Sequence, residues 1–408
     1  MTIKKLPFLE WVFILIYAFI SINPKMNALV PMPVFLFLEL IYCVYIVIIE
    51  TKLRHYVGII LMGALVIALM YVFTTASVYI SQDAEFREIK SFVTMFCSYL
   101  SICFPMMMTY RLLLYGTEFQ KKSIFIILIL LLAIIFYVTW EELKINERIM
   151  KSRMSSSLDD ESNMMVGGYV FICATAIMLS SVFYAFRQCN NKILRWLMFS
   201  ITCFLILFIV RSLYTIALIA GVIGMCYTMR TKNYRLFVPS LILILFLLPI
   251  LLQLIINVLD DGDIKYRMME IYSLIMTGTL EDGDLSARIQ LYRKGLVAFL
   301  CSPLWGNYKL GFNPHSTIIE LLASVGLWGF LPFVIMLKKS FNLIKKIQPQ
   351  WSITPVYVTF LFMALTNPIH SSHSLNIAMW FLGPLLYDRV TEVNARETRH
   401  KQIEKFKI

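Results

Sequence analysis

The sequence predicts an all-α, polytopic integral membrane protein of about twelve spans, on three observations. Of its 408 residues, 59% are hydrophobic and only 15% charged, and the mean hydropathy is +0.74. Apolar runs close to the roughly 20 residues that a helix needs to cross a bilayer recur along the whole chain. The alternating pattern of a membrane β-barrel is absent, and backbone polar groups in lipid must be satisfied within their own segment, so each run reads as a helix.

The spans fall near 6–22, 29–49, 56–80, 91–113, 123–140, 166–186, 193–210, 212–229, 236–259, 317–337, 353–369 and 374–388. No small-residue cleavage site follows the first, which is therefore expected to be a retained helix that also targets the chain. Lys4 and Lys5 precede it. Basic residues then recur after every second span: Lys52 and Arg54; Arg111, Lys121 and Lys122; Arg187, Lys192 and Arg195; Arg230, Lys232 and Arg235; Lys338, Lys339, Lys345 and Lys346. The tail 389–408 adds Arg389, Arg396, Arg399, Lys401, Lys405 and Lys407. Most acidic residues fall in the alternate segments. By the positive-inside rule both chain ends face the cytoplasm.

The net charge of +12 is thus a matter of topology, spread over short membrane-flanking segments with no continuous basic domain, and nucleic acid is not an expected partner. The eight cysteines show no CxxC or metal-ligand spacing. Most lie within spans, Cys189 is expected on the cytoplasmic side and Cys301 outside. Residues 1–408 read as a single membrane domain, with no soluble domain.

Four places interrupt the pattern. The loop 141–165 mixes both charge signs with a serine run and reads as a solvated connector. Arg211 stands alone in the apolar stretch from Ile193 to Met229; the basic clusters on either side demand an even number of crossings, so Arg211 marks the outer turn. It either snorkels to headgroups or faces an anionic ligand.

The third is the outer loop 260–316, too long for a simple turn. Within it 286–301 fits an amphipathic helix: Ile289, Tyr292, Leu296, Phe299 and Leu300 share one side, Gln290, Arg293, Lys294 and Val297 the other, and Arg288 sits at the boundary. Such a helix belongs in the membrane interface. There the planar fork of Arg288 suits a diphosphate, or grips lipid headgroups.

The fourth is Asn313-Pro314-His315 before the tenth span. Asn caps and Pro opens a helix, which leaves His315 in the first turn, where the helix dipole disfavours the imidazolium and attracts phosphate. A neutral His315 serves as a base or as an interfacial hydrogen-bonder. Gly326 and Gly329 share its face and let a neighbouring helix approach closely.

Taken together, Ser286-Ala287-Arg288, Pro303-Leu304-Trp305-Gly306, His315-Ser316 and Gly326-Leu327-Trp328-Gly329 resemble the signature region of the O-antigen ligase and polymerase superfamily. Members also carry an arginine at the outer start of a middle span; Arg211, in Val210-Arg211-Ser212-Leu213, occupies the similar place.

The resemblance implies a GT-C-like membrane glycosyltransferase of the bacterial cytoplasmic membrane, acting on its periplasmic or extracellular side. It implies a donor glycan linked to undecaprenyl diphosphate, and neither metal nor cofactor. Under it Arg211 and Arg288 neutralise the departing diphosphate and His315 deprotonates the acceptor hydroxyl. Lys309, Arg267, Tyr292 and Glu320 become candidate substrate contacts, and a chain-length regulator and a flippase of the same pathway become partners beside membrane lipid.

A polymerase of O-antigen or capsule repeat units is favoured over an O-antigen ligase that transfers glycan to the lipid A core. A twelve-span secondary transporter is the competing class, but no matching half-repeat is evident. Glu10 and Glu39 are intramembrane acids expected near the cytoplasmic half. The turn His370-Ser371-Ser372-His373 is expected outside, as a polar turn rather than a metal site.

Overall fold

The computed structural model describes residues 5–80, 92–145, 166–212, 214–230, 249–250, 253–254, 256–257, 263–277, 284–307, 315–369 and 373–405. All regular structure among them is helical. The helices are α1 (Phe8–Ile22), α2 (Pro24–Leu29), α3 (Met32–Ile49), α4 (Thr51–Ile80), α5 (Phe92–Cys103), α6 (Pro105–Tyr115), α7 (Glu118–Ile145), α8 (Tyr169–Gln188), α9 (Lys192–Arg211) and α10 (Thr215–Arg230). After them come α11 (Asp263–Thr277), α12 (Asp284–Cys301), α13 (Thr317–Ile347), α14 (Thr354–Thr366), α15 (His373–Ile377) and α16 (Gly383–Lys405), the last two joined by a π-helical turn, Ala378–Leu382.

Among the described residues seven helical stretches are long and apolar enough to cross a membrane. In α3 the large apolar side chains Phe37, Ile41, Val44 and Ile48 are exposed, while Glu39 is buried on the opposite face. That inversion of the usual helix suits a solvent of lipid. Burial separates centre from periphery: 83% of the apolar window of α8 is buried against 28% of that of α9. Around α8 pack α9, α10, α14 and the α15–α16 helix. Small residues permit the closest approaches. A Cβ on Gly224 of α10 would lie 2.1 Å from Thr359 Oγ1 and 2.2 Å from Ser180 Oγ, and those two hydroxyls bond each other at 2.7 Å.

One end of the bundle is ionic. Lys121 pairs with Asp388, Lys122 with Glu392, and Arg389 with Glu118, Asp388 and Glu392. The backbone of Leu6 bonds that of Tyr115 at the same end. Arg111, expected in a flanking loop, is instead buried on α6, where Glu10 holds it at 2.8 Å and Glu50 at 3.2 Å. Two carboxylates on one guanidinium satisfy charges that would otherwise be costly to bury. Tyr42 and Tyr45 donate to the same Glu10. Glu39, expected with Glu10 near the cytoplasmic half, lies two turns into the 18-residue α3, close to its middle.

Other differences have simple causes. The tail expected from 389 continues α16 to Lys405, and α13 extends to Ile347 through Lys338, Lys339, Lys345 and Lys346. Hydropathy marks where a helix leaves lipid, whereas hydrogen bonding decides where it ends. In the long loop α12 starts two residues before the expected 286, and α11 was not anticipated. The first five residues of the expected loop 141–165 continue α7 to Ile145, and its remainder, like most of the expected span 236–259, lies outside the described residues.

Cys301 is exposed and Cys189 is buried, so Cys189 would resist a thiol reagent from either side. Asn190 is exposed beside it and makes the better reporter. In intact cells an impermeant maleimide is expected to label Cys301 but not Asn190→Cys, which should react only after permeabilisation. The opposite pattern would reverse the orientation.

Candidate functional site

Two glycine motifs meet at the end of the bundle opposite the ionic cluster. Gly326 breaks α13, with φ 60° and ψ −158°, a region essentially confined to glycine. The break frees backbone groups, and the turn after α12 takes them: Leu327 N donates to Pro303 O at 2.9 Å, Trp328 N to Leu304 O at 3.3 Å, and Asn307 N to Ala323 O at 2.5 Å. Gly306, at φ 80°, fits against the Ser324–Val325 backbone, where a Cβ would fall 2.4 Å from three atoms. Trp305 and Trp328 flank the joint with ring centroids 6.1 Å apart. Gly326 was expected to admit a neighbouring helix; it admits this turn. A Cβ on Gly329 would meet Val325 of its own helix.

The joint holds α12 against α13. The small residues Gly295 and Ala298 of α12 are buried, whereas Ile289, Leu296 and Leu300 are exposed. Arg288 and Tyr292 point toward the protein. Tyr292 Oη donates to Thr366 O at 3.2 Å. The Arg288 guanidinium lies against the phenols of Tyr169, Tyr214 and Tyr292, yet its Nη1 is buried with no hydrogen-bond partner. Burial works against its charge, but the phenol oxygens of Tyr214, Tyr169 and Tyr292 outweigh that and hold its pKa above the ordinary value. Burial also raises the Tyr292 phenol, which the Arg288 charge only partly offsets. The group is therefore a desolvated cation among neutral hydroxyls. Among the described residues no carboxylate forms an ion pair with it.

Asn367 organises the floor. Both Tyr169 Oη and Tyr214 Oη bond its Oδ1, and the two phenols also bond each other. Its carbonyl accepts from Thr317 N at 3.1 Å and from Thr317 Oγ1 at 3.2 Å. Thr317 is the first residue of α13, so this short chain of bonds links the Arg288 pocket to the segment carrying His315.

His315 differs from expectation. Ser316 is the N-cap of α13, its side chain accepting from Ile319 N, so half-buried His315 precedes the helix instead of occupying its first turn. The dipole effect fades outside that turn. Asn313, Pro314 and Lys309 lie outside the described residues, as does the side chain of Arg267 on α11. Glu320 is buried with Tyr71 and Tyr99 as neighbours. Arg211 donates Nη2 to Leu143 O at 3.3 Å, tying the ends of α9 and α7 together three residues before Tyr214. The structure thus gathers Arg288, Tyr292 and the His315 segment around Asn367, while this bond directs Arg211 to a neighbouring helix end.

His373, expected in an outer polar turn, is buried and stacked on Phe35 with centroids 4.3 Å apart. Among the described residues no three His, Cys, Asp or Glu side chains are grouped to hold a metal. Tyr169, Tyr214 and Asn367 were not anticipated. Tyrosines at span ends are common as interfacial anchors, and nothing local marks these two as companions of an arginine on α12. The class defined by fold and site is a membrane protein, helical throughout its described residues, with a half-buried arginine at one end that no carboxylate pairs with among those residues. No family model and no curated protein matches the chain.

Proposed function

We propose that this chain is a metal-independent, GT-C-like membrane glycosyltransferase of about twelve spans, resembling the O-antigen ligase and polymerase superfamily, and that it polymerises lipid-linked repeat units. The carrying observation is Arg288, with Nη1 buried and unpartnered beside three phenols. A desolvated guanidinium without a carboxylate favours an anion that arrives with the substrate, and its fork matches phosphate oxygens.

An undecaprenyl-diphosphate glycan meets that requirement. The hydroxyl of an incoming lipid-linked unit attacks the anomeric carbon, the bond to the diphosphate oxygen breaks, and undecaprenyl diphosphate departs. Arg288 stabilises the charge that grows on the leaving group. His315 takes the hydroxyl proton. Arg211, whose Nη2 donates to Leu143 O in this structure, adds positive potential at the same end. The phenols of Tyr169, Tyr214 and Tyr292, whose hydrogens go to Asn367 and Thr366, turn oxygen lone pairs toward the guanidinium and orient its fork for the diphosphate.

Purified protein supplied only with lipid-linked repeat units is expected to lengthen them without metal, nucleotide or ATP. His315→Ala should cost about 100-fold or more in turnover while donor binding persists, because a base acts chiefly in the transition state. Deletion should leave single repeat units at the surface. Polymer remaining on the carrier in the deletion strain would instead support a ligase, and solute transport without any glycan change would support a carrier.

A further inference from the structure

Glu39 is fully buried two turns into α3. Its Oε1 accepts from Tyr17 Oη and Ser101 Oγ, each at 2.6 Å. Its Oε2 is buried with no partner. Arg111, the buried cation between α1 and α3, is taken by Glu10 and Glu50. A carboxylate inside a membrane bundle cannot remain ionised without a compensating positive charge.

Further unpartnered polar atoms lie on the helices packed around it. Ser21 Oγ lies one turn from Tyr17 on α1, within reach of its hydroxyl, and Nδ1 of His373 and both amide atoms of Asn376 are buried without a partner on α15. All these side chains are more than nine-tenths buried. His373 stacks on Phe35, one turn before Glu39, and α15 packs against α1 and α5, the helices that supply Tyr17 and Ser101. A single orphaned polar atom has many explanations; a carboxylate oxygen, an imidazole nitrogen and an amide left unpartnered on helices that pack together point to a ligand of their own.

We propose that Glu39, with Ser21, His373 and Asn376 around it, forms a second polar site within the bundle that binds one univalent cation, an alkali ion or a proton. The carboxylate supplies the negative charge, and Ser21 Oγ and Asn376 Oδ1 supply neutral oxygens. The titratable groups facing it are Tyr17 from α1, Cys43 on α3 itself, Cys97 from α5 and His373 from α15. Among the described residues none from α4 acts on it. The site is independent of the glycosyltransferase reading and shares no side chain with the Arg288 pocket.

Thermal unfolding of the purified full-length protein tests the proposal, because a cation that binds only the folded state raises its Tm. Sodium is compared with choline at equal ionic strength, and separately pH is varied without sodium, for the wild type and Glu39→Gln. A sodium-dependent rise of several degrees in the wild type, absent from the variant, assigns an alkali ion. No sodium effect, but a gap between wild type and variant that changes with pH, assigns a proton. Identical responses of the two proteins in both series overturn the site. Should Glu39→Gln yield no folded protein, Ser21→Ala replaces it, since that variant keeps both hydrogen bonds to Glu39; it is expected to need several-fold more sodium or acid for the same rise, and an unshifted response overturns the site.

Discussion

Replacing Arg288 by lysine is expected to lower glycan transfer by about 100-fold or more, the scale on which a lost oxyanion donor is felt, although the charge is unchanged. An ammonium on a flexible stem presents one point charge where the guanidinium presents a planar pair of donors. In this pocket the distinction is sharpened by burial: Nη1 is enclosed without a protein partner, so its bonding capacity is reserved for whatever enters. The measurement is extension of lipid-linked units by purified protein, with abundance checked in membranes. Arg293→Lys on the exposed face of α12 serves as the control and should be close to neutral. Normal synthesis by Arg288→Lys at normal abundance would make Arg288 a lipid anchor and remove the chief support for the diphosphate assignment.

Gly326→Ala is expected to destabilise the protein by about 3 kcal/mol or more, from a backbone region hostile to any side chain together with a steric clash. Its Cβ would stand 2.4 Å from Leu304 O and 2.7 Å from Gly306 N, both backbone atoms that cannot swing aside. The joint between α12 and α13 would have to open, and Arg288 would move with α12. Loss of heat resistance and of glycan synthesis together is the predicted outcome. Gly58, where an added Cβ would meet nothing within 4 Å, provides the control, since Gly58→Ala in the interior of α4 should be tolerated or mildly stabilising. A Gly326→Ala protein as heat-resistant as the wild type would mean that the Pro303–Gly306 turn does not hold the break.

Local periodicity made α12 legible, because a turn of apolar and polar residues is visible within sixteen or so positions. The face that it buries was not. The expectation assigned Tyr292 to the same side as Ile289, Leu296 and Leu300, but those three are exposed and the contact face carries Gly295 and Ala298. In lipid, large apolar side chains gain nothing by leaving the surface, and small ones allow backbones to approach. His315 illustrates a different limit: both Asn313 and Ser316 are competent caps by composition, and the bond from Ile319 N to Ser316 Oγ decides between them. Arg111 looked like a flanking cation because its partners, Glu10 and Glu50, are remote in the chain.

Membrane class and the positions of the long apolar helices among the described residues follow from composition, since each depends only on how a short segment partitions between lipid and water. The encounter of Tyr169 with Asn367, 198 residues away, and the seating of the Pro303–Gly306 turn in the break at Gly326 depend on which helices lie side by side. Those contacts are set by packing among small residues and by the need of freed or buried polar groups to find partners, and neither is expressed in the hydropathy of any one segment.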